Sequence, residues 1–140
     1  MNDVKTLLRT AYYTLLNGNL TSVFTIKVTP VLALVNDSNA IYVLLNSGSG
    51  KSENTHQSFM MDEQMQVEII GRGSRFSQAV IDAVATQILR LVLPTPQTNG
   101  FGNSQIINCR VTDDRYLPFK ADGAVNVSRR IITFTQLIAQ

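Results

Sequence analysis

Cysteine and histidine are nearly missing from this chain, and each shortage removes a class of chemistry. Cys109 is the one cysteine in 140 residues, so neither an intrachain disulfide nor a cysteine-based metal cage can form. The chain is therefore expected to fold without an oxidising compartment, in a cytoplasm. His56 is the one histidine, and a Ser-His-Asp or Cys-His arrangement would have to use it. It lies in a polar stretch far from Cys109 in sequence and reads as a solvated loop residue. Cys109 alternates with Ile107 and Val111, which suits a small buried hydrophobe better than a reactive thiolate. A surplus of one charge is lacking too. Twelve Lys plus Arg against ten Asp plus Glu leave +2, far from the basic excess that holds nucleic acid by neutralising phosphates, so specific nucleic-acid recognition is unsupported. The longest purely apolar run, residues 40–45, has six members, where roughly eighteen are needed to cross a bilayer. The first residues lead into an amphipathic helix and lack the basic start and apolar middle of a secretory signal, so neither export nor membrane insertion is indicated.

What is present is an ordinary globular composition, 44% hydrophobic and 16% charged. Disorder would need fewer apolar residues and more charge. The length suits a single domain, residues 1–140, with one core burying roughly two thirds of the unfolded surface. Residues 59–93 organise it. Met61, Met65, Val67 and Ile69 alternate with Asp62, Gln64, Gln66 and Glu68, the period-2 pattern of a half-buried strand that Glu63 alone breaks. After the turn Gly71-Arg72-Gly73-Ser74-Arg75 the period lengthens, and Val80, Ile81, Val84, Ile88, Leu91 and Val92 form a helical stripe. Ser74 or Ser77 can cap this helix, and Pro94 and Pro96 end it.

The chain opens with a helix predicted from Val4, Leu7, Leu8, Ala11, Tyr12, Leu15 and Leu16, capped by Asn2 and stopped at Asn17-Gly18. Phe24, Ile26 and Val28 alternate with Thr25, Lys27 and Thr29 in a first strand interrupted by Pro30. Residues 41–45 form a short strand apolar on both faces, and 46–58 read as a polar hairpin tip. Beyond the second helix come a Pro/Gly/Asn-rich connection, a strand over 106–111, a turn at Thr112-Asp113-Asp114-Arg115 and a tight-turn signal at Asp122-Gly123. Residues 124–138 are β-rich with apolar side chains on no single face. The prediction is an α+β domain, a mostly antiparallel β-sheet with two helices packed on one face. Two helices cover only one face, so the second is expected either to meet other subunits or, by a bend at Ser128-Arg129-Arg130, to turn into the same core.

No motif carries chemistry. Gly48-Ser49-Gly50-Lys51-Ser52 ends like a phosphate loop, but G-x-x-x-x-G-K-[ST] needs Gly where Leu45 stands, and residues 53–58 have no apolar stripe for the helix it must open. Asp62 with Glu63, and Asp113 with Asp114, are sequence neighbours that point to opposite faces of a strand and cannot share a proton. No catalytic, cofactor-binding or metal-binding residue is assigned, and no cofactor is expected. Met60, Met61 and Met65 read as core filling or adaptable contact surface.

The order of elements resembles the tail-terminator or tail-completion proteins of tailed bacteriophages, which act in head-tail joining. The resemblance rests on the helix over Val4–Leu16, two β segments, Met65-Gln66-Val67-Glu68-Ile69-Ile70-Gly71-Arg72-Gly73-Ser74 leading into a helix over 76–93, and a β-rich end with Cys109-Arg110-Val111 and Arg130-Ile131-Ile132-Thr133-Phe134. It spans nearly the whole chain without a specific fingerprint, and the long C-terminal β segment departs from it. It implies a virion structural protein of the tail or neck, not an enzyme. Such a protein forms a homo-oligomeric ring, often a hexamer or of higher symmetry, that caps the tail tube and joins it to the connector, with DNA passing through the lumen and no membrane involved. The host cytoplasm would be the place of assembly. Candidate subunit or partner contacts are Lys51, Gln66, Glu68, Arg72, Arg75, Arg130, Ile132 and Phe134. The other readings are a different neck ring or adaptor, or a non-viral α+β assembly module.

Overall fold

A computed structural model describes residues 4–22, 24–29, 40–47, 51–54, 59–72, 78–95, 98–102, 105–116, 120–122 and 125–139. Helix α1, Val4–Leu16, buries Leu8, Tyr12 and Leu16, one residue per turn on the same stripe. It stops where Gly18 takes φ 81°, a left-handed conformation that glycine adopts without steric cost, and the amide of Asn17 closes the last turn on the Tyr13 carbonyl at 2.8 Å. Helix α2, Gln78–Val92, buries Ile81, Val84, Ala85, Ile88 and Val92. Its last carbonyls are partly satisfied from outside: the Gly100 amide donates to the Val92 oxygen at 2.9 Å. The caps expected at Asn2, Ser74 and Ser77 lie outside the described residues.

The strands are β1 Thr25–Thr29, β2 Ala40–Ser47, β3 Lys51–Asn54, β4 Phe59–Arg72, β5 Ile106–Tyr116, β6 Lys120–Asp122 and β7 Val125–Ala139. They form one seven-stranded sheet whose path is β1-β2-β4-β7-β5, with β3 on β4 and β6 on β7. Every pairing is antiparallel except β1 with β2. The backbone of the sheet is the β4–β7 ladder, which runs in unbroken register from Met60↔Ala139 to Arg72↔Val127. That continuity answers the bend expected at residues 128–130: β7 passes straight through them.

Two further expectations change. Residues 46–58 are not one loop, because β2 pairs with β4 as far as Ser47↔Met65 and β3 resumes the pairing at Lys51↔Asp62. Residues 112–115 are not a turn, because Asp113, Asp114 and Arg115 stand opposite Thr133, Ile132 and Ile131 in the β5–β7 ladder. In both places turn-forming composition is overridden by a long apolar partner strand already fixed in the sheet. β5 departs from strict alternation in another way, with register shifts between Ile107 and Arg110 and between Val111 and Asp113. At the first, Asn108 takes φ 52° and shares with Cys109 the place opposite Gln136, a β-bulge. Ile107, Cys109 and Val111 therefore do not all share a face: Ile107 stands opposite Leu137 on the helix-free side, whereas Cys109 reaches Tyr12 and Gln136 and Val111 stands opposite Phe134, both on the helix side.

Both helices pack on one face. The core joins Leu8, Tyr12 and Leu16 of α1 and the α2 stripe to Ile41, Val43, Leu45, Met65, Val67, Ile69, Ile132, Phe134 and Ile138 of the sheet. This establishes the α+β fold with two helices on one side of a mostly antiparallel sheet. No helix among the described residues is long and apolar enough to cross a membrane.

Candidate assembly surfaces

The helix side of the sheet is where polarity is least expected. Glu63, which breaks the alternation of β4, is fully buried there, as is Gln136 opposite it. The Tyr12 hydroxyl donates to Gln136 Oε1 at 2.7 Å, and Gln136 Nε2 donates to the Glu63 carbonyl at 2.7 Å. The Cys109 thiol lies 3.7 Å from the same Oε1 and 3.9 Å from the Tyr12 hydroxyl. Burial pushes the thiol up to about 11, which keeps it protonated and unreactive at neutral pH. Burial also holds the Tyr12 phenol well above its ordinary value, with Cys109 adding to the effect. This is a polar clasp between α1, β4, β5 and β7 rather than a reactive group. No cluster of three or more His, Cys, Asp or Glu placed to hold a metal occurs among the described residues. An open groove of about 520 Å³ runs along α1 between Leu7, Thr10, Ala11, Thr14, Leu15 and Phe101, and no titratable side chain lines it.

Arg130 faces the helix side at the sheet margin. Its Nε and Nη2 donate to Asp114 at 2.8 and 2.7 Å, its Nη1 donates to Asp82 of α2 at 2.8 Å, and its guanidinium lies 5.2 Å from the centre of the Tyr116 ring. The Tyr116 hydroxyl donates to the same Asp82 oxygen at 2.7 Å. That bond raises the phenol's pKa, and the Asp114 hydrogen bonds raise that of Arg130. Arg130 is thus the hub that ties α2 to β5 and β7, with its donors turned inward along the chain.

Ile132 and Phe134 are fully buried on the helix side, opposite Val67 and Met65. The register of β7 puts its even-numbered residues under the helices, so the structure places both in the core of a single chain and not on a surface a neighbour can reach. Gln66 and Glu68 lie half-buried on the other face, where Glu68 forms an ion pair with Arg129, whose Nε donates at 2.7 Å. Lys51 pairs with Asp62 in the β3–β4 ladder and Arg72 ends β4 opposite Val127, at opposite ends of the sheet. Arg75 lies outside the described residues. The candidates are therefore not gathered into one site.

The helix-free face also departs from expectation. Tyr42, Leu44 and Ile70 form a small cluster at 7%, 3% and 7% exposure, and Thr133 and Thr135, farther along β7 on the same face, are also buried. Lys27 lies over the Tyr42 ring at 5.6 Å. These residues are shielded within one chain, so an uncovered apolar face no longer argues for oligomerisation. The described sheet has β1 and β5 as its edge strands. Among the described residues β1 pairs only with β2, and β5 only with β7. Residues 110–116 of β5 are all exposed, and two of the large exposed hydrophobics, Val111 and Tyr116, sit there.

An α+β domain with one open sheet and no reactive constellation among its described residues is the class that the fold defines. No protein-family model matches the chain, and no curated protein matches its sequence. Among solved structures, it is similar to a chain of the virion of a native gene transfer agent particle. The two share the fold over 100% of each chain, with a TM-score of 0.55 at 12% identity.

Proposed function

We propose that this chain is a virion structural protein of a phage-like tail or neck, forming a ring, hexameric or higher, that terminates the tail tube and joins it to the head connector. The observation that carries the reading is the likeness in fold, over 100% of each chain, to a chain of the virion of a gene transfer agent particle. The two different edge strands of the sheet among the described residues, β1 and β5, support it, because a subunit that repeats around an axis presents two different surfaces to its neighbours. The groups with perturbed pKa values fit a structural role: Tyr12, Cys109, Tyr116 and Arg130 all bond within the chain. The protein works by shape complementarity, not chemistry, with the tube protein and connector as partners and DNA in the lumen. It resides in the virion, after assembly in the host cytoplasm.

Size-exclusion chromatography with light scattering, followed by negative-stain imaging with and without the tail-tube protein, tests this. Closed rings of one size, alone or seated on tube ends, are the expected result. A chain that stays monomeric at all concentrations and leaves tube ends bare overturns the reading.

A further inference from the structure

We propose that the solvent side of α1 is a docking surface for a helix of a different protein, one that carries carboxylates beside an apolar stripe. The inference goes beyond the ring reading, which assigns this helix no partner. Helical periodicity sorts α1 into four rows, each made of residues four apart. Leu8, Tyr12 and Leu16 form the row in the core. On the far side Thr10 and Thr14 are exposed, with the row of Leu7, Ala11 and Leu15 along one flank and that of Arg9 and Tyr13 along the other. The groove of about 520 Å³ is lined by the threonines, by the partly buried Leu7, Ala11 and Leu15, and by Phe101. Ala11 between two leucines leaves a depression that runs along the helix, the shape that a ridge of another helix fills.

The partner's charge follows from Arg9. α1 carries Lys5 and Arg9 and no acidic residue, and Lys5 has interactions within the chain. Arg9 is half-buried, and among the described residues nothing accepts a hydrogen bond from its Nε, which is closed off from solvent. A guanidinium donor held out of water without an acceptor is matched by a carboxylate brought from outside. Tyr13, one turn on, is 37% exposed, and Tyr beside Arg is the composition of interface anchors. The described helices of a second copy do not fit. Its α1 would bring more cations and no carboxylate, and the one carboxylate of its α2, Asp82, is already bound by Arg130 and Tyr116. The surface therefore suits a foreign helix whose apolar stripe lies in the groove and whose Asp or Glu side chains reach Arg9 across the threonine row.

The test uses the full chain and two synthetic helices that share a leucine stripe, one with glutamates beside it and one with lysines. Binding is read by fluorescence anisotropy, self-association by light scattering and folding by thermal melts. The wild type should bind the glutamate helix roughly tenfold or more tighter than the lysine helix, lose that preference in Arg9→Gln and reverse it in Arg9→Glu. Thr10→Trp, at an exposed position, fills the groove and should weaken binding of either helix while leaving the melt unchanged. Because Thr10 lies outside the core, this variant carries the test even if an Arg9 variant does not fold. No binding, equal binding of the two helices, or binding unmoved by Thr10→Trp overturns the surface and leaves the ring reading standing. Self-association that Thr10→Trp abolishes overturns it in favour of a second copy. Duplex DNA that binds the wild type in preference to the glutamate helix, and does not bind Arg9→Glu, overturns it in favour of a phosphate partner.

Discussion

At the scale of single residues, the most informative group is the buried clasp of Tyr12, Gln136, Glu63 and Cys109. Tyr12 and Gln136 are 124 positions apart, so no spacing rule could join them in sequence. The one legible sign was that Glu63 stood where an apolar residue belonged. Removing the hydroxyl with Tyr12→Phe leaves the Gln136 oxygen with the weak thiol donor, and should cost roughly 1–3 kcal/mol in urea unfolding. The pH dependence has a definite sign. Tyr12 and Cys109 both have folded-state pKa values above their ordinary 10.0 and 9.0. A raised acid favours the protonated fold, so that stability is complete below the unfolded pKa and is lost as pH climbs through the folded value, about 11 for Cys109. The urea midpoint should thus stay level near neutrality and fall above pH 9.0, the ordinary thiol value. A Tyr12→Phe/Cys109→Ala variant should show a shallower alkaline decline. An equal slope in that variant would mean that the clasp does not titrate with unfolding.

At the scale of elements, periodicity carried most of the fold. The stripe of α1, the alternation of β4 and the two-faced burial of β2 were all visible, because each is a local pattern read against one packed face. What was not visible depended on partners distant in sequence. Thr112-Asp113-Asp114-Arg115 looks like a turn until β7 stands beside it, and Asn108 hides a bulge that one residue type cannot announce. Ile132 and Phe134 read from sequence as subunit contacts because β7 is apolar on both faces; only its register with β4 shows which face the helices cover. Ile132→Asp or Phe134→Asp should therefore abolish the cooperative thermal transition itself, since a carboxylate would be buried with no counter-charge. Retention of a normal melt with loss of assembly would return them to an interface. Gly100 makes a second case. A Cβ there would lie 1.8 Å from the Leu91 carbonyl oxygen, where the chain closes over the end of α2. Gly100→Ala should lower stability by roughly 1–3 kcal/mol in the same unfolding assay, through displacement of the amide that bonds the Val92 carbonyl.

At the scale of the whole molecule, chain order and sheet order run against each other. β7 follows all the other strands in sequence yet lies between β4 and β5 and also pairs with β6, so the sheet cannot be completed until β7 is available. The β4–β7 ladder joins Met60 to Ala139, a closure whose entropy must be met before its contacts stabilise anything. The chain before β7 can still form α1, the β2–β4 hairpin and α2. It lacks Ile132, Phe134 and Ile138 from the core, and Gln136 from the clasp. A chain ending at residue 122 should therefore show partial far-ultraviolet signal, no cooperative unfolding and no ring on tube ends, while adding residues 123–140 in the same chain restores all three. β5 also depends on β7 for its only partner among the described residues, so it takes its place in the sheet only after β7 is in place. Under the proposed function, a fold arranged this way makes assembly depend on the presence of β7. A truncated chain that melted cooperatively, or bound tube ends as the full chain does, would break that coupling.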